Sequence, residues 1–187
     1  MRYPLLLPLA AVPALAVVLM RTGADASRDA APAVPHGIDH ISATTLNAAL
    51  DATMRSGAKG VQFRLADDRN AQYLMNRRTA PSEIELHCDW DDVMVVRAGA
   101  GVVHTSRRVQ KPVKYSWGEW RAERLVTPGE VTIAAGDVVR IPAGHAHQVR
   151  PLGDVPLVYL VIKVRSPEDG AVCGSLERAL REAAPPR

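Results

Sequence analysis

Three rhythms of apolar and polar residues follow one another along the chain. The first is an apolar run over residues 5–20, interrupted only by Pro8 and Pro13. Arg2 precedes it, and Ala24-Asp25-Ala26 follows as a small-x-small site. A positive start, an apolar run and a small-residue site predict a secretory signal peptide over residues 1–26, cleaved after Ala26. The alternative is an uncleaved anchor; the run is short of the ~20 apolar residues that a spanning helix needs, and it carries prolines. No cysteine follows the run, which argues against a lipoprotein. Residues 27–40 are rich in Ala, Pro and charge and predict a flexible leader.

The second rhythm is helical. Residues 44–55 place Ala, Leu and Met at helical spacing, with Ser42 or Thr44 as cap and Gly57 and Gly60 as the end. The period then falls to two. Residues 61–66 and 72–76 predict a strand pair joined by Asp67-Asp68-Arg69-Asn70, and short strands follow over 84–90, 93–97 and 101–106. A bend is expected at Trp90-Asp91. Residues 110–127, with Trp117 and Trp120, are less regular. Strands over 131–134, 137–141, 147–150 and 155–164 complete the set, and residues 175–183 predict a terminal helix before a frayed end.

Many short strands with turn signals and no alternating helices define an all-β class, an antiparallel barrel or sandwich. Without an internal repeat it is one barrel. The predicted organisation is a single domain over residues 41–187, with its barrel core at about 60–165.

Composition changes this picture little. The formal net charge of +3 does not demand nucleic acid or an acidic membrane surface as a partner. Most basic residues are Arg; the lysines are Lys59, Lys111, Lys114 and Lys163. The cysteines, Cys88 and Cys173, would meet an oxidising compartment after export, where a disulfide is allowed; two separate thiols are the plainer reading, since geometry does not follow from spacing. No nucleotide motif, Ser-His-Asp arrangement or zinc ribbon is evident. Gly99-Ala100-Gly101 reads as a strand turn and not a phosphate loop, because no helix follows it.

The candidate chemistry lies in two segments. In the first, Glu85 and His87 are two apart on a strand and so share a face, while Leu86 and Cys88 point the other way. Asp92 follows the expected bend. In the second, His147 comes just after the Pro142-Ala143-Gly144 turn. Two imidazoles and two carboxylates suit a divalent transition metal (Fe, Mn, Zn or Ni) without deciding which. Each has a plainer reading: Glu85 as a carboxylate bonded to an Arg, the histidines as polar core residues, Asp92 as an outer support of the ligands. Burying Glu85 uncompensated costs several kcal/mol, so a metal or another cation is expected beside it. Asp89 is read as a rim residue, His145 as a residue of the barrel mouth, and His104 as lining or surface. Trp90, Trp117, Trp120, Tyr73, Arg64 and Met75 are candidate pocket lining, with core packing the plainer reading for most.

These segments resemble the two signature motifs of the cupin superfamily. The usual first motif reads G-x5-H-x-H-x3-4-E-x6-G. Here Asp92-x6-Gly99 matches its end with Asp for Glu, His87 matches the second His, Glu85 stands at the first His, and the opening Gly is absent. The second motif, G-x5-P-x-G-x2-H-x3-N, is matched by Gly136, Pro142, Gly144 and His147, with Pro151 in place of Asn. The resemblance spans residues 83–164 and extends, through Gly118 to Arg121, to short exported bacterial cupins of unassigned function. It implies a small antiparallel jelly-roll barrel with an N-terminal helix and a short C-terminal helix. It also implies a metal site at Glu85, His87, Asp92 and His147, and pairing into a homodimer.

The function expected from this reading is a metal-dependent enzyme acting on a small organic molecule in a secreted or periplasmic location. Dioxygenase, isomerase and lyase chemistry all fit, with Glu85 or Asp92 ligating the metal or accepting a proton. The alternatives are a non-catalytic small-molecule-binding or sensing cupin, and a structural barrel without metal. No nucleic-acid partner and no stable membrane anchor after cleavage are expected.

Overall fold

A computed structural model describes residues 39–67, 69–166 and 171–182. The expected signal peptide, and the leader up to residue 38, lie outside the described residues. The elements in chain order are α1 (Ala43–Arg55), β1 (Gly60–Asp67), β2 (Ala71–Arg78), β3 (Ile84–His87), β4 (Trp90–Ala98), β5 (Ala100–Ser106), β6 (Val109–Gln110) and β7 (Val113–Ser116). They continue with β8 (Glu119–Ala122), β9 (Arg124–Leu125), β10 (Gly129–Ala134), β11 (Val138–Ile141), β12 (Ala146–Leu152), β13 (Leu157–Arg165) and α2 (Cys173–Glu182). The expected all-β architecture with a helix near each end is therefore present.

One antiparallel sheet runs β1-β2-β13-β4-β11, a second runs β10-β5-β12-β3-β8-β7, and β6 pairs with β9. Alternation explains how the sheets meet. Leu74, Met94, Val96, Tyr159 and Val161 from the first sheet and Val103, Ile133 and Val149 from the second form one buried core. A second cluster lies behind β3: Ile84, Leu86, Trp120, Leu125, Ala146 and Cys173, with Cys88, Val172 and Leu176 against it. β3 is thus covered on both faces, by the barrel interior and by α2, which explains why its outward residues are apolar.

Helix α1 begins at Ser42, whose Oγ accepts the Thr45 N–H at 3.1 Å. Its end differs from expectation. Ser56, in extended conformation, caps it, and Gly60 instead opens β1. Ser42→Ala should cost about 1 kcal/mol, because one orphan N–H of the first turn loses its acceptor. A chemical-denaturation midpoint measures this, and an unchanged midpoint would show that the cap contributes nothing.

The larger correction concerns the first motif. β3 stops at His87, and the bend lies at Cys88-Asp89, ahead of Trp90 and Asp91, which belong to β4. The chain changes sheets here: β3 pairs with β8 and β12, whereas β4 pairs with β11 and β13. Two anchors set the position. The Cys88 N–H donates to the Gly118 carbonyl at 2.8 Å. On the far side buried Asp91 is held by Arg140 and accepts the Ala143 N–H at 2.8 Å. The second motif's turn also reaches back, with the Gly144 N–H donating to the His87 carbonyl at 2.8 Å. Gly144 has φ +76°, a left-handed conformation that glycine adopts freely.

Candidate metal centre

The sheet change brings Glu85 and His87 from one sheet against Asp92 from the other. Glu85 lies directly across from His147 in the β3–β12 ladder. Glu85, His87 and His147 each present a ligand atom, all within 4.8 Å of one another. The rings of His87 and His147 are 5.3 Å apart between centroids. Asp92 completes the group, with Oδ2 3.5 Å from His87 Nε2 and 3.6 Å from His147 Nε2. All four residues expected to form the site therefore meet in the barrel. Asp92 and both histidines are buried and Glu85 is half-buried.

Outer contacts orient the imidazoles. His87 Nδ1 lies 2.6 Å from Glu119 Oε2, and His147 Nδ1 lies 3.2 Å from the His145 carbonyl. In each ring the Nδ1 proton has an acceptor and Nε2 is aimed inward, the arrangement that orients metal-ligating histidines. Arg121 Nη2 stands 3.4 Å from Glu85 Oε1.

A residue the sequence reading passed over occupies the centre. Lys163 Nζ donates to Asp92 Oδ1 at 2.6 Å and lies 2.8 Å from His87 Nε2. It projects inward from β13, where it pairs across from Asp92, and only 9% of its surface is exposed. The alternation Tyr159, Val161, Lys163 was the available signal, since the first two face the core.

The electrostatics follow from this crowding. Burial alone would raise Asp92, but the neighbouring imidazole of His87 and the Lys163 ammonium hold it well below the usual carboxylate range. Burial likewise opposes the charge on Glu85, and His147, Arg121, His87 and Lys163 together lower its pKa. Burial lowers His147 and keeps it neutral. For His87, burial also disfavours charge, yet contacts with Asp92 and Glu119 push its pKa up to about 9. The 2.8 Å approach of Lys163 requires the opposite at Nε2, because an ammonium donates only to a nitrogen with a free lone pair. We therefore assign the His87 proton to Nδ1, facing Glu119, with Nε2 accepting from Lys163.

Stability should fall on acidification. His147 binds its proton in the unfolded chain near pH ~6.5 but only at lower pH when folded, so its contribution is present above ~6.5 and lost below. Glu85 and Asp92, also lowered, add to the loss below about pH 4. Comparing Tm against pH for the native chain and His147→Gln should show the shallower slope between pH ~6.5 and 5 in the variant; identical slopes would refute it.

A cavity of about 370 Å³ opens above this floor, lined by Arg64, Gln72, Glu85, His87, Arg121 and Lys163 among others. A second, smaller pocket is lined by Glu85, Asp92, His147 and again Lys163, among others. Of the two carboxylates expected to act in catalysis, Glu85 lines both spaces and Asp92 lines the smaller pocket. Among the other candidates, Arg64 lines the cavity. Met75 and Trp120 are core residues, while Trp117 is 84% exposed. Trp90 lies against Arg165, and Tyr73 donates to Asp39. His104 pairs with Glu130 at 3.6 Å, and His145 is half-buried beside the Ala143 carbonyl.

The donor set fits one divalent ion. Bonds of about 2.1 Å allow ligand atoms up to about 4.2 Å apart, so side-chain movements of roughly half an ångström close the set. Sequence reading missed Lys163 and Asp91 as site residues; Glu119 and Arg121 it met only as part of a resemblance.

No protein-family model and no curated protein matches the chain. Solved structures do. A hydroquinone 1,2-dioxygenase, solved with Cd2+ and 4-hydroxybenzonitrile, superposes with TM-score 0.50 at 20% identity, over 70% of this chain and 81% of that one. A Bacillus halodurans protein aligns at TM-score 0.47 and 20% identity, over 72% and 86% of the two chains. A cupin superfamily protein from Desulfitobacterium hafniense aligns at 0.41 and 14%, over 60% and 82%. The likeness at TM-score 0.50 shows the fold alone, a small jelly-roll barrel, and the two motifs of this chain are similar to those of the cupin superfamily.

Proposed function

We propose that this protein is a metal-binding cupin that acts on a small organic molecule in an exported compartment. The observation that carries the reading is the convergence of Glu85, His87 and His147, the first two of which line an open cavity. A divalent transition metal held by these three residues would supply Lewis acidity toward substrate oxygens. Glu119 and the His145 carbonyl fix the imidazole tautomers, so that Nε2 of each ring is the ligating atom. Arg64, Arg121 and Gln72 offer donors to polar or anionic substrate groups in the cavity. Glu85, held ionised, either ligates or accepts a substrate proton. Dioxygenase, isomerase and lyase reactions share these requirements. The disulfide between Cys88 and Cys173 supports the exported location, since such bonds persist in oxidising compartments.

Elemental analysis tests the metal. The described domain, purified without an affinity tag that binds metal, should carry about one equivalent of a transition ion or take one up on loading. Glu85→Ala, His87→Ala and His147→Ala should lose it. Failure to bind Mn, Fe, Zn or Ni in a folded protein would overturn the reading. It would favour a second one that Lys163 supports: a metal-free ligand-binding barrel whose carboxylates are balanced by the lysine.

A further inference from the structure

We propose that Lys163 is this site's built-in competitor for the metal, so that the barrel holds either the ammonium or a divalent ion at His87. The inference rests on the metal-site reading above and adds a regulating residue to it.

The argument begins with a single lone pair. Neutral His87, with its proton on Nδ1 toward Glu119, has one acceptor position, at Nε2. Lys163 Nζ occupies it at 2.8 Å. A metal ligated by the same nitrogen would sit about 2.1 Å away along the same direction. Both cannot use that lone pair, and the overlap is steric as well as electronic.

Charge makes the exclusion stronger. Asp92 is already faced by Lys163 through a 2.6 Å hydrogen bond, and Glu85 by Arg121 across 3.4 Å. A divalent ion beside a retained ammonium would leave the buried cluster with excess positive charge, which a low-dielectric interior penalises. With Lys163 withdrawn, these two carboxylates together with Glu119, which stands 3.8 Å from Arg121, balance the ion and the guanidinium.

Cavity shape supplies a route. His87 lines the larger cavity, His147 lines the smaller pocket, and Lys163 lines both. In its present position the ammonium lies against His87 Nε2 and Asp92 Oδ1. The open cavity lies next to it, and Glu119 and Glu85 line that space as acceptors for a displaced ammonium. Asp92 then loses its lysine partner and is left 3.5–3.6 Å from both ligating nitrogens, positioned to stabilise the bound ion. Lys163 thus compensates the charge of Asp92 at the position where an ion would compete with it.

Titration of Co2+ and Zn2+ into the native chain, Lys163→Met, Lys163→Gln and His147→Ala/Lys163→Met tests the proposal. Lys163→Gln retains a donor to Asp92 in case the methionine variant folds poorly. Removing the ammonium should tighten binding of one equivalent by roughly tenfold or more, a coupling of ordinary size, and the added His147→Ala should abolish it. Reductive methylation followed by peptide mapping gives a second readout: Lys163 should be protected without metal and labelled with it. Equal affinity of the native chain and both lysine variants would overturn the competition while leaving the metal site intact. Binding by none of them would overturn the metal-site reading itself and the competition with it.

Discussion

Asp92→Ala unfolds with a loss of about 3–5 kcal/mol, the penalty for removing one partner of a buried ion pair. The lysine left behind is the reason. Lys163 Nζ donates to Asp92 Oδ1 at 2.6 Å, and both residues are buried, Asp92 at 5% exposure. In the variant that ammonium keeps its contact with His87 Nε2 but loses its hydrogen bond to a carboxylate, while its charge remains inside the barrel. Asp92→Asn should lose less, because its amide oxygen still accepts. Asp92→Ala/Lys163→Met should recover much of the loss, since it removes both charges together. Urea unfolding with comparison of midpoints and slopes gives the values. A single-variant loss below about 1 kcal/mol, or a double variant no better than Asp92→Ala, would mean that the pair is not the compensated unit described above.

The same lysine marks where sequence reading stops. The register of Gly136, Pro142, Gly144 and His147 is legible because a turn needs each residue at its place: Gly144 at positive φ, and His147 re-entering the sheet after it. The shared face of Glu85 and His87 is legible because strand alternation is a fixed geometry. Lys163 was not, because an isolated lysine near the end of an apolar strand ordinarily marks a solvent-facing edge. Its partner Asp92 arrives from another strand, and a cross-strand register cannot be counted along the chain. The bend was misplaced for a related reason. Trp90 and Asp91 look like turn residues locally, but contacts with Arg140, Ala143 and Gly118 fix the sheet change at Cys88-Asp89. Local pattern gave the elements; pairing between distant segments decided where they end.

Such a long-range link is also the basis of the second large effect. Cys88 and Cys173 are joined across 85 residues of sequence. A loop of that length corresponds to about 4–5 kcal/mol of unfolded-state entropy in the chain-closure account, and measured losses on removal run about 2–5 kcal/mol. Cys88→Ala/Cys173→Ala should therefore lose about 2–5 kcal/mol, and the native chain should melt at lower temperature with a reductant than without. The bond also bears on the site. It ties α2 over Ile84, Leu86 and Trp120, the cluster behind β3, and Cys88 directly follows His87. Loosening α2 exposes that apolar cluster and frees the strand that carries Glu85 and His87, so metal retained after dialysis should fall with the disulfide gone. Equal Tm in both redox states would show that packing of α2 alone suffices. A large Tm difference with unchanged metal retention would confine the bond's effect to the outer cluster and leave the Gly118 and Gly144 contacts as what holds His87 in place.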